Sequence, residues 1–169
     1  MHAAVHCTPG YKVTGVILVI CTHHGLVHKN GVGDLQKERS DYQFFFFLKS
    51  HLLTFYHRFA NINYVVLSTA KGIRVIQIVL TFDVNCQYSK KFWEQMKDLP
   101  LEMWIDEETV VEFAIPSWHI NAYGADCHAD FGLSYWDCVG HTCGEEVEVT
   151  WAGTNSLGSS TQEMGGMKL

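Results

Sequence analysis

The chain has 169 residues, 47% of them hydrophobic, 13% aromatic and only 18% charged. Such proportions exclude a disordered chain and fit one domain with a real core. A formal net charge of −6 argues against unaided gripping of long duplex DNA, though it leaves room for a local basic strip.

In chain order, Met1 to Gly10 reads as irregular. Lys12 to Cys21 is a buried strand, a continuous run of Val, Ile and Leu. His23-His24-Gly25 interrupts it, and Leu26 to His28 is a short return strand. Asn30-Gly31 and Gly33-Asp34 are turn signals. Leu35 to Phe59 is long, aromatic and mixed, and reads as a helix. Asn61 to Thr69 and Ile73 to Asp83 are two β-branched strands, with Lys71-Gly72 as the turn between them. Gln87 to Lys97 is the clearest helix, because Tyr88, Phe92 and Met96 recur every four residues on one face. Asn85 or Ser89 is placed to cap its start. Val110 to Ile115 is another strand, closed by Pro116. His119 to Phe131 is a weak helix, Gly140 marks a loop, and residues 153–169 form a tail rich in Gly and Ser. Strands alternating with helices predict an α/β fold, a mixed sheet flanked by helices.

No run reaches the ~18–20 apolar residues of a membrane span, so no membrane partner is expected. The six cysteines are scattered. That spacing points to reduced thiols in an intracellular protein, nuclear or cytoplasmic, and not to a secreted disulfide scaffold.

Asp83 closes an apolar strand just before a helix. A carboxylate there either caps the helix or ligates a hard divalent ion such as Mg²⁺. Glu145, Glu148 and Trp151 would share one face if their segment were helical. Alternation in Glu146-Val147-Glu148-Val149-Thr150-Trp151 and its β-branched residues instead favour a strand. Cys21 and His24 form a Cys-x-x-His pair. His119 and Cys127, with Cys138, His141 and Cys143, are further zinc-type ligands, against which stands the ordinary role of such cysteines in a core. Lys90, Lys91 and Trp93 are either a basic, aromatic strip for nucleic acid or the solvated side of the clear helix.

Several segments together resemble one family. They are Cys21-Thr-His-His24-Gly25-Leu-Val, Lys29-Asn-Gly-Val-Gly-Asp-Leu-Gln-Lys37, Phe82-Asp83-Val-Asn-Cys86-Gln-Tyr-Ser-Lys-Lys, Pro116-Ser-Trp-His119, Cys127, Gly140-His-Thr-Cys-Gly144-Glu145 with Glu148 and Trp151, and Ser159-Ser-Thr-Gln-Glu163-Met-Gly165. These are similar to the transposases of the Kyakuja-Dileera-Zisupton (KDZ) group, found mainly in fungal genomes. The resemblance implies a ribonuclease-H-like fold with a DDE-type site. It also implies bound Mg²⁺ or Mn²⁺, and cleavage and joining of DNA at transposon ends. By position it makes Asp83 the second catalytic Asp and Glu145 the glutamate, with Glu148 as the alternative, and it places a helix at Glu145 against the alternation there.

The sequence departs from the family pattern at Cys143, where Asp is usual, at Val149, where a basic residue is usual, and at Tyr123, where His is frequent. The family's first catalytic Asp lies on a strand upstream of the matched segments. A partial domain over residues 11–152 is therefore expected, lacking its first strand and inactive alone, with open strand edges that could pair with another chain. The competing expectations are a domesticated DNA-binding or interaction module without enzymatic activity, and a small domain stabilised by Zn²⁺.

Overall fold

The computed structural model describes residues 13–36, 59–136, 139–140 and 142–153. The irregular N-terminus, nearly all of the expected helix over Leu35 to Phe59, the Gly/Ser tail, Cys138 and His141 lie outside them.

Strands β1 (Val13–Ile20) and β2 (Val27–Gln36) form an antiparallel hairpin. Its turn is a single coil in which Gly25 N–H bonds to Cys21 C=O at 2.9 Å and Gly25 takes φ +62. The return strand is longer than expected, because Asn30-Gly31 does not end it. Leu18 pairs with Val32 but Ile20 pairs with Val27, so the turn-forming residues are absorbed as a bulge within β2. A Cβ on Gly31 would sit 2.6 Å from Val19 O, which only glycine avoids.

Helix α1 (Ala60–Ala70) corrects the strand expected over Asn61 to Thr69. The β-branched residues there raise strand propensity, but burial decides otherwise. Phe59, Asn63 and Leu67 are buried at a spacing of four, a helical stripe disguised by its polar middle member. Val65 packs on the opposite side, against Gly33 of β2.

Strand β3 (Gln77–Thr81), helix α2 (Asn85–Met96) and strand β4 (Val110–Ala114) make a β-α-β crossover, with β3 and β4 parallel. The expected face of α2 is the core: Tyr88, Phe92 and Met96 are buried with Phe59, Leu67, Met103 and Ile105. Phe92 stacks edge-on to Phe113 of β4 at 5.2 Å. Neither expected cap operates. Asn85 is buried inside the helix and its Nδ2 donates to Leu80 O and Ala114 O, at 2.6 Å each. Ser89 donates to Asn85 O. Asn85 thus ties the start of α2 to the ends of both strands.

After β4 the expected weak helix divides into a 3-10 turn (His119–Ala122) and α3 (Ala125–Phe131), with Gly124 between them. A last helix, α4, covers residues 146–153. It overturns the strand that alternation favoured for Glu146 to Trp151. The fold is α/β, but among the described residues its strands form two separate pairs, not one mixed sheet.

Candidate active site

Parallel strands end at the same edge, where α/β folds gather their functional groups. Thr81 pairs with Ala114, so Asp83 after β3 and His119 after β4 emerge side by side. Glu145 stands at the start of α4, where its carbonyl accepts Glu148 N–H at 3.0 Å. Glu148 lies one turn further along, on the same side.

These four residues converge. His119 Nδ1 is 3.1 Å from Glu145 Oε2, while Nε2 is 3.3 Å from Glu148 Oε1 and 3.7 Å from Asp83 Oδ2. The Trp118 backbone N–H donates to Glu145 Oε1 at 2.8 Å. Tyr123 donates its hydroxyl proton to the Asp83 carbonyl at 2.7 Å, which fixes the loop carrying the carboxylate. Burial raises the Tyr123 hydroxyl above its ordinary pKa, helped by Cys86 and then Asp83. Tyr123 is therefore held as a donor. Among the described residues, His119, Glu145 and Glu148 are the group whose ligand atoms all lie within 4.8 Å of one another.

The other residues singled out from the sequence lie outside this cluster, although Cys127 neighbours its edge through Cys86 and Tyr123. Cys21 Sγ is 3.2 Å from His24 Nδ1 in the hairpin turn, and this bond lowers the Cys21 thiol below its usual pKa. Cys127 lies on α3 beside Cys86 of α2. Burial, then Cys127, raises the Cys86 thiol. The four zinc-type residues Cys21, His24, His119 and Cys127 are thus divided among three places. Lys90 is exposed on α2, Lys91 is half-buried, and Trp93 is exposed with its ring against Phe92.

The KDZ: Kyakuja-Dileera-Zisupton transposase family model matches residues 2–168. The chain belongs to the KDZ transposase family. No curated protein and no solved structure matches it.

Two residues of this cluster were not expected beside the carboxylates. The sequence places His119 among zinc-type ligands, yet it lies between Asp83 and the two glutamates. The signal was available in outline, since a His five residues beyond a strand parallel to β3 must emerge near Asp83. Trp118 acts through its backbone, which no side-chain pattern reveals.

Proposed function

We propose that this KDZ chain carries a DDE-type site of a DNA transposase, within a ribonuclease-H-like arrangement of its strands and helices. Asp83 and the glutamates Glu145 and Glu148 serve a divalent ion, Mg²⁺ or Mn²⁺. The observation that carries this reading is the meeting of the three carboxylates around His119 from two separate parts of the chain. The order of elements agrees with it: a hairpin, a helix, a β-α-β unit with Asp at the first strand's end, and a final helix led by Glu.

The donors suit such an ion. Carboxylate oxygens are the ligands hard cations take, and Asp83 and Glu148 are open to solvent while Glu145 is oriented by the Trp118 N–H. When bound, the ion would stabilise charge on a phosphodiester and activate the attacking oxygen. The chain's own part is positional. Tyr123 fixes the Asp83 loop, Asn85 fixes the strand ends beneath it, and the start of α4 presents the glutamates. Trp118, 78% exposed beside the site, offers a stacking surface to an unpaired base. Phosphodiester chemistry commonly takes acidic groups from three or more elements. Among the described residues the acidic groups come from two elements, and this reading expects those two to bind the ion without efficient cleavage.

Isothermal titration with Mn²⁺ tests the reading. Binding at one ion or more per chain, weakened at least tenfold in Asp83→Asn, is expected. Equal binding in the variant would refute the site. Mg²⁺-dependent nicking of plasmid DNA, lost in Asp83→Ala, would overturn the expected lack of cleavage.

A further inference from the structure

Beside the acidic centre lies a groove of about 740 Å³, lined by Tyr123, Ala125, His128, Ala129 and Tyr135. Three of these belong to α3, where positions 125, 128 and 129 share one face. The two alanines give that face little height. Tyr123 joins the groove from just before the helix and Tyr135 from the turn after it.

Both tyrosines are held in place. The Tyr123 hydroxyl is committed to the Asp83 carbonyl at 2.7 Å, so its share of the groove is ring. Tyr135 is 72% exposed, yet its ring rests on Gly132, where a Cβ would meet Tyr135 Cδ2 at 2.8 Å. The segment that carries Tyr135 is tied down twice. Ile115 N–H donates to Phe131 O at 2.7 Å, and the Ser134 hydroxyl meets that of Ser117 at 3.2 Å. A large ring that is exposed but already fixed loses little entropy when it binds.

The chemistry of the walls selects the occupant. None of the five lining residues carries a carboxylate, an ammonium or a guanidinium group, so the groove is not built for a phosphate. A low floor, two aromatic rings and one imidazole suit a flat heterocycle, which stacks on a ring and hydrogen-bonds at its edge. Position says which heterocycle. Tyr123 belongs both to the groove and to the hold on the Asp83 loop, so the groove is continuous with the acidic centre.

We propose that the groove between Tyr123 and Tyr135 takes an unpaired nucleobase of the DNA strand that the acidic centre serves. This rests on the reading above that the centre serves DNA, and it specifies the form of that substrate. The strand is unpaired beside the phosphate at the centre, because a base stacked within a duplex cannot enter the groove. Tyr135 is the stacking platform and His128 meets the edge of the base.

The test is fluorescence of a single-stranded oligonucleotide carrying one 2-aminopurine, titrated with the full chain with and without Mn²⁺. Stacking on tyrosine should quench it, and the matching duplex should bind less tightly. Tyr135→Ala should weaken single-strand binding about fivefold or more and relieve the quenching. Tyr135→Phe keeps the ring and should behave as the unaltered chain. Ala129→Leu fills the floor without replacing a tyrosine and should act like Tyr135→Ala, which keeps the test decisive if that variant does not fold. With 5-iodouracil in place of 2-aminopurine, irradiation should cross-link Tyr123 or Tyr135, as located by peptide mass spectrometry. Cross-linking confined to Trp118, a duplex bound as tightly as the single strand, or binding unchanged in both Tyr135→Ala and Ala129→Leu would overturn the groove and leave the ion site standing. A chain that takes up Mn²⁺ but no single strand would do the same. Single-strand binding lost in Tyr135→Ala, from a chain that takes up no Mn²⁺, would keep the groove and remove the ion. A chain that binds neither would remove both.

Discussion

Asn63 of α1 donates a buried 2.7 Å hydrogen bond to Gln95 of α2. It is a polar clasp between two helices that also share the apolar cluster of Leu67, Tyr88, Phe92 and Met96. Asn63 Oδ1 and Gln95 Nε2 find no further partner, so the clasp is only half satisfied. Asn63→Ala strands Gln95 and should cost about 1–3 kcal/mol in urea unfolding. The double change Asn63→Leu with Gln95→Leu removes both needs and should cost less than the single one. A double variant less stable than Asn63→Ala would show that shape, not polarity, governs this contact.

Much of the fold was legible, and its failures share a cause. The face of α2 was plain because Tyr88, Phe92 and Met96 are apolar at helical spacing. The stripe of α1 has the same spacing but carries Asn63 in its middle, so the β-branched residues prevailed in the reading. At Asn30-Gly31 a local turn signal was real, yet the strand continued around it. The helix beneath the acidic pair is expected only from the family resemblance, since local propensity points to a strand, and the structure has a helix over residues 146–153. Convergence of Asp83, His119 and Glu148 is a tertiary fact, and no local pattern states it.

Tyr88 is buried and its hydroxyl has no hydrogen-bond partner. Burial raises its pKa well above the ordinary 10.0. Above pH 10 the unfolded chain loses this proton before the folded one does, so stability should fall as pH rises beyond that point. Tyr88→Phe should abolish this alkaline component and be neutral or stabilising by up to about 1 kcal/mol near neutrality. Melting temperatures from pH 8 to 11 for the two proteins provide the check.

Asn85 links stability to the site. Asn85→Ala removes the side-chain donor from the Leu80 carbonyl and one of two donors from the Ala114 carbonyl, which keeps the Phe82 N–H, and should cost about 1–3 kcal/mol. It also frees the segment beneath Asp83, so Mn²⁺ affinity should drop although no proposed ligand is altered. A destabilised variant with unchanged Mn²⁺ affinity would mean that the Asp83 loop is held by Tyr123 alone.

Trp118 separates DNA contact from ion contact. Trp118→Ala keeps the backbone N–H that binds Glu145, so Mn²⁺ affinity should hold. Loss of the exposed ring should weaken single-stranded DNA binding by about 1–3 kcal/mol. Fluorescence anisotropy with a labelled oligonucleotide measures this, and equal DNA affinity in the variant would exclude the ring as a stacking surface.

The thiols should differ in reactivity. His24 lowers the Cys21 thiol, while burial and then Cys127 raise that of Cys86. At pH 8 iodoacetamide should label Cys21 well before Cys86, followed by peptide mass spectrometry, and His24→Ala should slow Cys21. Faster labelling of Cys86 would contradict the geometry at both positions.

The bond from Tyr123 to the Asp83 carbonyl spans 40 residues, and that from His119 to Glu145 spans 26. Neither exists until distant stretches of chain have met, so both must close large loops against chain entropy. The hairpin of β1 and β2 faces no such demand. In kinetic terms the acidic centre is therefore a latecomer, assembled after the hairpin. An ion that ties Asp83 to Glu148 would act chiefly as a brake on its reopening.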